Sequence, residues 1–214
     1  MSSSRVPDPP LPGSFQPLLF TWERDRPLVR CHSVRFAPTA FNPGKGLGRF
    51  HPFADLRGNV VPTLYAAEDL EGALSETVFH SMPVRGPGKG IRRVTLKPLV
   101  LSTLVCSRGL RLAQLFGFGL RRLGVTRLNL IEAPKRQYPR TAAWARALHA
   151  SGERIDGLIW VSRQNDGKRS VVLFGDRVAA SSLRSIDVPL MLEDGPGYEA
   201  VLSAANQAGV LVYE

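Results

Sequence analysis

Short apolar runs rich in β-branched residues, separated by Gly- and Pro-containing segments, constrain this chain to mixed α and β structure. The clearest runs are IDGLIWVS at 155–162 and SVVLF at 170–174, which are typical of buried strands. Further strands are predicted over 28–36, 60–66, 91–106 and 210–213. Helices are predicted over 69–81, 109–118, 141–150 and 198–207, with Asp69 and Thr141 as N-caps. No repeat or linker interrupts the pattern, so we expect one α+β domain over residues 21–214.

The start of the chain has a different composition from the rest. MSSSRVPDPPLPGSF carries Ser and Pro but few apolar side chains, which predicts a disordered or loosely ordered tail over residues 1–20. It has no apolar core typical of a secretory signal. No run approaches 18 apolar residues, so we expect no transmembrane helix. The two cysteines, Cys31 and Cys106, are far apart, which fits a reduced, cytoplasmic, metal-free protein.

The formal net charge of +10 favours negatively charged binding partners. A basic surface attracts nucleic acid, acidic membranes, phosphate-bearing ligands or an acidic protein. The cations are dispersed rather than clustered, and the sequence has no zinc-finger, RRM or KH pattern. A solvated basic surface therefore explains most of them, and a non-enzymatic domain that binds nucleic acid stays as an alternative.

Four residues between positions 35 and 76 carry the chemistry of a nucleotide site. Arg35 and Arg49 precede Tyr65 at the end of a predicted strand, and Glu76 follows on a predicted helix. Guanidinium groups bind pyrophosphate, and an aromatic ring can stack on a base. A carboxylate stabilises the positive charge that develops on a sugar as its C–N bond breaks. These groups are those needed to hold a dinucleotide and cleave a glycosidic bond.

Each candidate also has an ordinary structural explanation. Arg35 is near a strand end, where arginines are commonly solvated, and Tyr65 is in a strand where most tyrosines pack in the core. Glu76 lies off the apolar stripe of its predicted helix, which favours a solvated side chain. Ser162 ends a buried strand, where either a ligand-binding serine or a plain turn serine fits. Other chemistries are disfavoured, because HExxH, GxSxG and the P-loop pattern are absent and the four histidines show no ligand spacing.

Three sequence pieces, taken in order, resemble the RES-domain family of bacterial toxins. The first is VRF with Arg35, followed by FNPG and by GRF with Arg49. The second is LYAAEDLEGALSETVFH with Tyr65 and Glu76, and the third is IDGLIWVSR with Ser162, followed by VVLF. The family is named after an arginine, a glutamate and a serine, and the resemblance spans roughly 29–174. The segment HPFADLRGNVVPT between GRF and LY is longer than a compact turn, which leaves open whether Arg49 lies in the pocket.

The resemblance implies an ADP-ribosyltransferase-like fold of split, twisted β-sheets flanked by helices, with NAD in the cleft. It implies that NAD is a substrate, that Glu76, Tyr65 and Arg35 are catalytic, and that Arg35, Arg49, Tyr65 and Ser162 bind NAD. The implied activity is cleavage of the nicotinamide–ribose bond by hydrolysis or phosphorolysis, which depletes NAD and arrests growth; transfer of ADP-ribose to a protein is the alternative. The implied partner is an Xre-type antitoxin, through which any contact with nucleic acid is indirect.

Overall fold

The structure is a computed structural model that describes residues 5–83, 86 and 89–214. Its strands are β1 Leu19–Trp22, β2 Leu28–Ser33, β3 Thr63–Ala67, β4 Gly90–Arg92, β5 Leu99–Cys106, β6 Leu110–Gln114, β7 Gly157–Val161, β8 Arg169–Phe174, β9 Leu183–Ser185, β10 Leu190–Met191 and β11 Leu211–Tyr213. Its α-helices are α1 Leu70–Ser75, α2 Phe118–Arg122, α3 Arg127–Leu130, α4 Tyr138–His149 and α5 Gly195–Ala208.

Within the described residues, nine strands form one mixed sheet. Its order is β1-β6-β7-β8-β3-β2-β5-β10, and β9 also pairs with β5. All neighbours are antiparallel except β6 and β7, which run parallel. A small second sheet pairs β11 with β4 in parallel. The predicted α+β class is confirmed, with helices packed against a large sheet.

The two faces of the central strands β3, β7 and β8 bury different clusters, because alternate side chains point to opposite faces. On one face Leu64, Ile159, Val171 and Leu173 pack with Trp22 in an apolar core. On the other face Tyr65, Trp160 and Val172 pack towards α4, whose Trp144 and Leu148 belong to the same cluster. The sheet face that meets α4 also carries the main cleft.

Three predicted elements differ from the structure. The predicted helix over 109–118 is wrong, since β6 occupies half of it and alternates buried Leu110 and Leu112 with exposed Arg111. Thr141 is not an N-cap, because α4 begins at Tyr138. The predicted helix over 69–81 begins after its predicted N-cap, Asp69, whose side chain accepts a hydrogen bond of 2.8 Å from the Gly72 N–H, but it ends at Ser75.

Turn hydrogen bonds replace the helical pattern after Ser75. The N–H groups of Thr77 and Phe79 both donate to the Leu74 carbonyl, at 3.2 and 2.9 Å. Further along the chain, the carbonyls of His80 and Met82 accept hydrogen bonds from the Gln164 amide of the β7–β8 loop at 2.9 and 3.2 Å. The RGPGKG segment that was predicted to end the helix lies partly outside the described residues.

The predicted loose tail over residues 1–20 also differs from the structure in the part that is described. Val6 is fully buried in the cluster under α4, and its N–H donates to Gln137 Oε1 at 2.6 Å. The Val6 carbonyl accepts from Arg140 at 3.0 Å, and the Pro7 carbonyl accepts from Trp144 Nε1 at 2.8 Å. The buried Val6 side chain and these backbone hydrogen bonds therefore hold residues 6–7 against the domain, although the composition of the segment predicts a loose tail. The first strand, β1, also begins at Leu19, inside the predicted tail.

Candidate functional site

The main cleft lies on the α4 side of the sheet, between the loop around Arg49, the turn after α1 and the start of α4. Its cavity volume is about 340 Å³. The wall combines cationic, aromatic, carboxylate and small apolar side chains: Cys31, Leu47, Gly48, Arg49, His51, Tyr65, Ala66, Ala73, Glu76, Thr77, His80, Ser81, Lys135, Tyr138, Trp160, Arg163 and Ser170. A pocket of this size and composition is typical of a small-molecule site.

Glu76 caps the C-terminal end of α1 and turns its side chain into the cleft. The side chain is only 13% exposed, and its Oε1 accepts a hydrogen bond of 2.6 Å from Ser162 Oγ. His80 Nδ1 lies 3.7 Å from the other carboxylate oxygen. Burial raises the pKa of Glu76, but the His80 ring, the Ser162 hydroxyl and the Arg49 charge outweigh it, so the pKa lies below its ordinary value. The group is therefore a fixed anion at neutral pH.

Arg49 supplies a buried cation to the same cleft. Its side chain lies 5.3 Å above the Tyr138 ring, and the residue is 3% exposed. Its carbonyl accepts a hydrogen bond from Thr141 of α4, and its Nη1 donates to the Ala133 carbonyl at 3.4 Å. Nε and Nη2 have no hydrogen-bond partner among the described residues. A buried guanidinium with two unused donors is suited to bind an anion.

Tyr65 lies in β3 at the floor of the cleft. Its hydroxyl accepts from the Phe50 N–H at 2.9 Å and lies 3.2 Å from His51 Nδ1. Its ring packs edge-on against Trp160, with centroids 6.0 Å apart. Burial raises the pKa of Tyr65 above its ordinary value, so the phenol stays neutral. The hydroxyl fixes the backbone next to Arg49 and the ring forms a wall.

The structure brings together only part of the predicted site. Arg49, Tyr65 and Glu76 line one cleft, so the longer loop after Arg49 does not displace it. Arg35 is exposed in the turn after β2 and is not among the residues that line the cleft. Ser162 is fully buried behind Glu76, to which its hydroxyl donates. Of the predicted site residues, Arg35 and Ser162 therefore do not line the cleft, and a role for either in NAD binding stays a prediction.

Several cleft residues were missed by the reasoning from sequence. His80 Nε2 is 2.9 Å from the Tyr138 hydroxyl. The backbone carbonyl of His80 accepts a hydrogen bond of 2.8 Å from Arg163 Nη2. The spacing of four residues from Glu76 to His80 is a signal that could have found the histidine. Tyr138 and Arg163 reach the site only through tertiary packing, for which the sequence carries no local signal.

Two further findings concern residues 5–83, 86 and 89–214. No group of three or more His, Cys, Asp or Glu side chains in this part of the chain is placed to hold a metal ion. Across the same residues, no helix combines the length and the apolar character needed to cross a membrane.

The α+β fold carries a cleft in which the anionic Glu76 shares the wall with Arg49, and Arg49 Nε and Nη2 have no partner among the described residues. The chain belongs to the RES-domain family, whose model matches residues 27–193. Among solved structures, the chain is similar to the MbcT–MbcA toxin–antitoxin complex of M. tuberculosis, with a TM-score of 0.56. The two are 14% identical, and the match covers 80% of this chain and 87% of that chain, which shows a shared fold. No curated protein is significantly similar to this chain in sequence.

Proposed function

We propose that this protein cleaves the nicotinamide–ribose bond of NAD. The observation that carries the proposal is the pairing, in one cleft, of the anionic Glu76 with the unpaired guanidinium of Arg49. The first group suits a sugar that becomes positively charged, and the second suits a pyrophosphate. Membership in the RES-domain family supports the same substrate, since the resemblance implies enzymes that act on NAD.

The chemistry needs few protein groups. When the bond between ribose C1′ and nicotinamide N1 breaks, its electron pair moves to N1 and neutralises the pyridinium, so no strong general acid is required. The cationic sugar is stabilised by Glu76, whose carboxylate Ser162 holds by its hydrogen bond. Water or inorganic phosphate then forms the new bond to C1′ through oxygen, and an attacking water loses its proton to solvent.

The roles that we propose for the cleft residues differ from those that the resemblance implies. Arg49, rather than Arg35, is the cation proposed to bind the pyrophosphate, because it lines the cleft and two of its guanidinium nitrogens have no partner among the described residues. Tyr65 is proposed to pack against the nicotinamide riboside and to shield one face from water. Ser162 acts through Glu76 rather than on the ligand, so it is a positioning residue.

We also propose a toxin-like role in which a small antitoxin protein of the Xre type inhibits the enzyme. The fold neighbour is a toxin–antitoxin complex, and the net charge of +10 favours an acidic partner. In this proposal nucleic acid is contacted only through the antitoxin. An association rate that falls as salt rises would support the electrostatic part, since exposed charges are screened beyond about 8–10 Å near physiological salt.

The test is incubation of the purified protein with NAD, with and without phosphate, followed by separation of the products. Free nicotinamide with ADP-ribose indicates hydrolysis, and free nicotinamide with ADP-ribose 1″-phosphate indicates phosphorolysis. ADP-ribose attached to protein indicates the alternative transferase activity. Glu71→Gln is the matched control for Glu76→Gln, since Glu71 lies on the same helix but outside the cleft. Absence of NAD turnover together with salt-dependent DNA binding would favour the nucleic-acid alternative instead.

A further inference from the structure

Unpaired polar atoms are concentrated at the cleft. Seven buried side-chain polar atoms in the described residues have no hydrogen-bond partner: Arg49 Nε and Nη2, Thr63 Oγ1, His80 Nδ1, Ser151 Oγ, Trp160 Nε1 and Ser170 Oγ. Five of the seven belong to residues that line the cleft. Because a buried donor or acceptor without a partner is costly, such a cluster marks the place where a ligand completes the hydrogen bonds.

Trp160 and Ser170 form a separate pair within this cluster. They are directly opposite each other on the antiparallel strands β7 and β8, so both side chains emerge on the same face of the sheet. Both residues are fully buried, and both border the cleft. The Trp160 indole offers one N–H donor, and the Ser170 hydroxyl can donate or accept. The pair therefore offers two uncharged hydrogen-bonding groups that have no partner among the described residues.

The sheet register places this pair beside the proposed reaction centre. Ser162, which holds Glu76, follows Trp160 by two residues and so lies on the same face. Tyr65 is opposite Val172, which is two residues from Ser170, so it borders the pair on the other side. The pair therefore lies between the carboxylate proposed to face the ribose and the ring proposed to shield it.

We infer that Trp160 and Ser170 recognise the carboxamide of the nicotinamide leaving group, an inference that rests on the proposed function. The indole N–H would donate to the amide oxygen, and the Ser170 hydroxyl would accept from the amide nitrogen. Arg49 is unsuited to this task because its charge matches the pyrophosphate, and His80 Nδ1 faces Glu76. A neutral pair also selects against nicotinic acid, since neither side chain compensates a buried carboxylate.

Substrate analogues test this subsite directly. The 3-acetylpyridine analogue of NAD keeps the carbonyl but lacks the amide nitrogen, whereas nicotinic acid adenine dinucleotide carries a carboxylate. The native protein should prefer NAD over the acetylpyridine analogue by about 3- to 10-fold in kcat/KM, the size of one neutral hydrogen bond. Ser170→Ala should reduce this ratio towards one. Trp160→Phe should instead lower kcat/KM for NAD and for the acetylpyridine analogue by similar factors, because both keep the carbonyl that would accept from the indole N–H.

Ser151→Ala is the matched control, because Ser151 also carries a buried, unpaired hydroxyl but lies outside the cleft. It should leave the NAD-to-analogue ratio unchanged. An unchanged ratio in Ser170→Ala would overturn the subsite and leave NAD cleavage standing. If Trp160→Phe does not fold, Ser170→Ala decides alone, since it removes only an oxygen.

Nicotinamide binding without turnover separates this inference from the proposed function. Titration calorimetry should show that nicotinamide binds the native protein and the Ser151→Ala protein, and that Ser170→Ala binds it about 3- to 10-fold more weakly. Weaker binding in Ser170→Ala, seen without NAD cleavage by the native protein, would support the subsite and refute the cleavage. Equal nicotinamide binding by all three proteins would overturn the subsite.

Discussion

Two Arg-Phe pairs of this chain, 35–36 and 49–50, end in opposite environments. Phe50 is fully buried and packs against Trp160 with centroids 5.2 Å apart, and the adjacent Arg49 is 3% exposed. Phe36 is 60% exposed, and Arg35 beside it is exposed as well. The contrast indicates that the buried Phe50 anchors Arg49 at the cleft, whereas the exposed Phe36 gives Arg35 no such anchor. Where the phenylalanine is anchored in the core, the guanidinium is held in a low-dielectric site and its charge becomes effective.

The largest expected effect of breaking the buried region is on turnover. Glu76→Gln should reduce nicotinamide release by roughly 10²–10³-fold, the scale for loss of one preorganised electrostatic group, with little change in the fold. The change keeps the shape of the side chain but removes the charge that Ser162 and His80 surround. Product separation measures the rate, and thermal unfolding confirms the fold. Near-native release by Glu76→Gln would refute the catalytic assignment.

The comparison of the two arginines is sharpened by replacing each in turn. Arg49→Ala should weaken NAD binding by about 10- to 100-fold, since hydrogen bonds to charged groups contribute about 1.5–3 kcal/mol. Arg49→Lys should also bind more weakly, because a point charge does not reproduce the planar fork. Arg35→Ala is the control and should bind NAD with native affinity. Calorimetric titration with NAD measures the affinity of all three proteins. Equal losses of NAD affinity in Arg49→Ala and Arg35→Ala would show that the two arginines do not differ in function.

Val6, near the start of the chain, helps to hold the helix that contacts Arg49. Val6 packs under α4, the helix whose Thr141 donates to the Arg49 carbonyl. Val6→Ala should lower stability by about 1.5–3 kcal/mol, which corresponds to a fall in Tm of several degrees for a chain of this size. Leu11→Ala is the matched control, since Leu11 is 78% exposed. Thermal unfolding followed by circular dichroism measures the shift, and an equal Tm for both variants would show that residues 5–8 are not docked.

The smallest expected effect is a shift in pH dependence. Because the folded pKa of Glu76 lies below its ordinary value of 4.5, the carboxylate stays charged above that pH and the acid limb of kcat/KM should lie below pH 4.5. The stability that this charge contributes is likewise present above the unfolded pKa and is lost as pH falls through the folded pKa. Arg49→Gln should move the acid limb upwards, whereas Arg35→Gln should not. An acid limb that both variants leave in place would show that Arg49 does not act on Glu76.

The sequence predicts the central strands well, because continuous apolar runs such as those of β7 and β8 have few alternative structures. It fails for β6, where the alternation of Leu110, Arg111 and Leu112 is a strand pattern inside a segment interpreted as a helix. It also misses β1, which pairs with β6 and gains its stability from that contact rather than from its own composition.

The cleft residues also fall into those that the sequence predicts and those that only tertiary contacts reveal. Tyr65, Glu76 and Arg49 are recognisable by their order along the chain, and all three line the cleft. The unpaired state of Trp160 and Ser170 depends on which strands are neighbours, and no spacing in the sequence reports it. The exposed position of Arg35 has the same cause, since its motif resembles that of Arg49 and only tertiary packing distinguishes them.

The order of strands in the sheet has a consequence for how the protein is made. β3 pairs with β8, and Glu76 accepts a hydrogen bond from Ser162. In both cases the second partner is synthesised many residues after the first. Such non-local pairing slows folding. During synthesis, a nascent chain that has not yet reached β8 exposes its Arg49 and Glu76 without an assembled cleft between them. We therefore expect the cleft to assemble only after β8 has been synthesised, about 100 residues after β3.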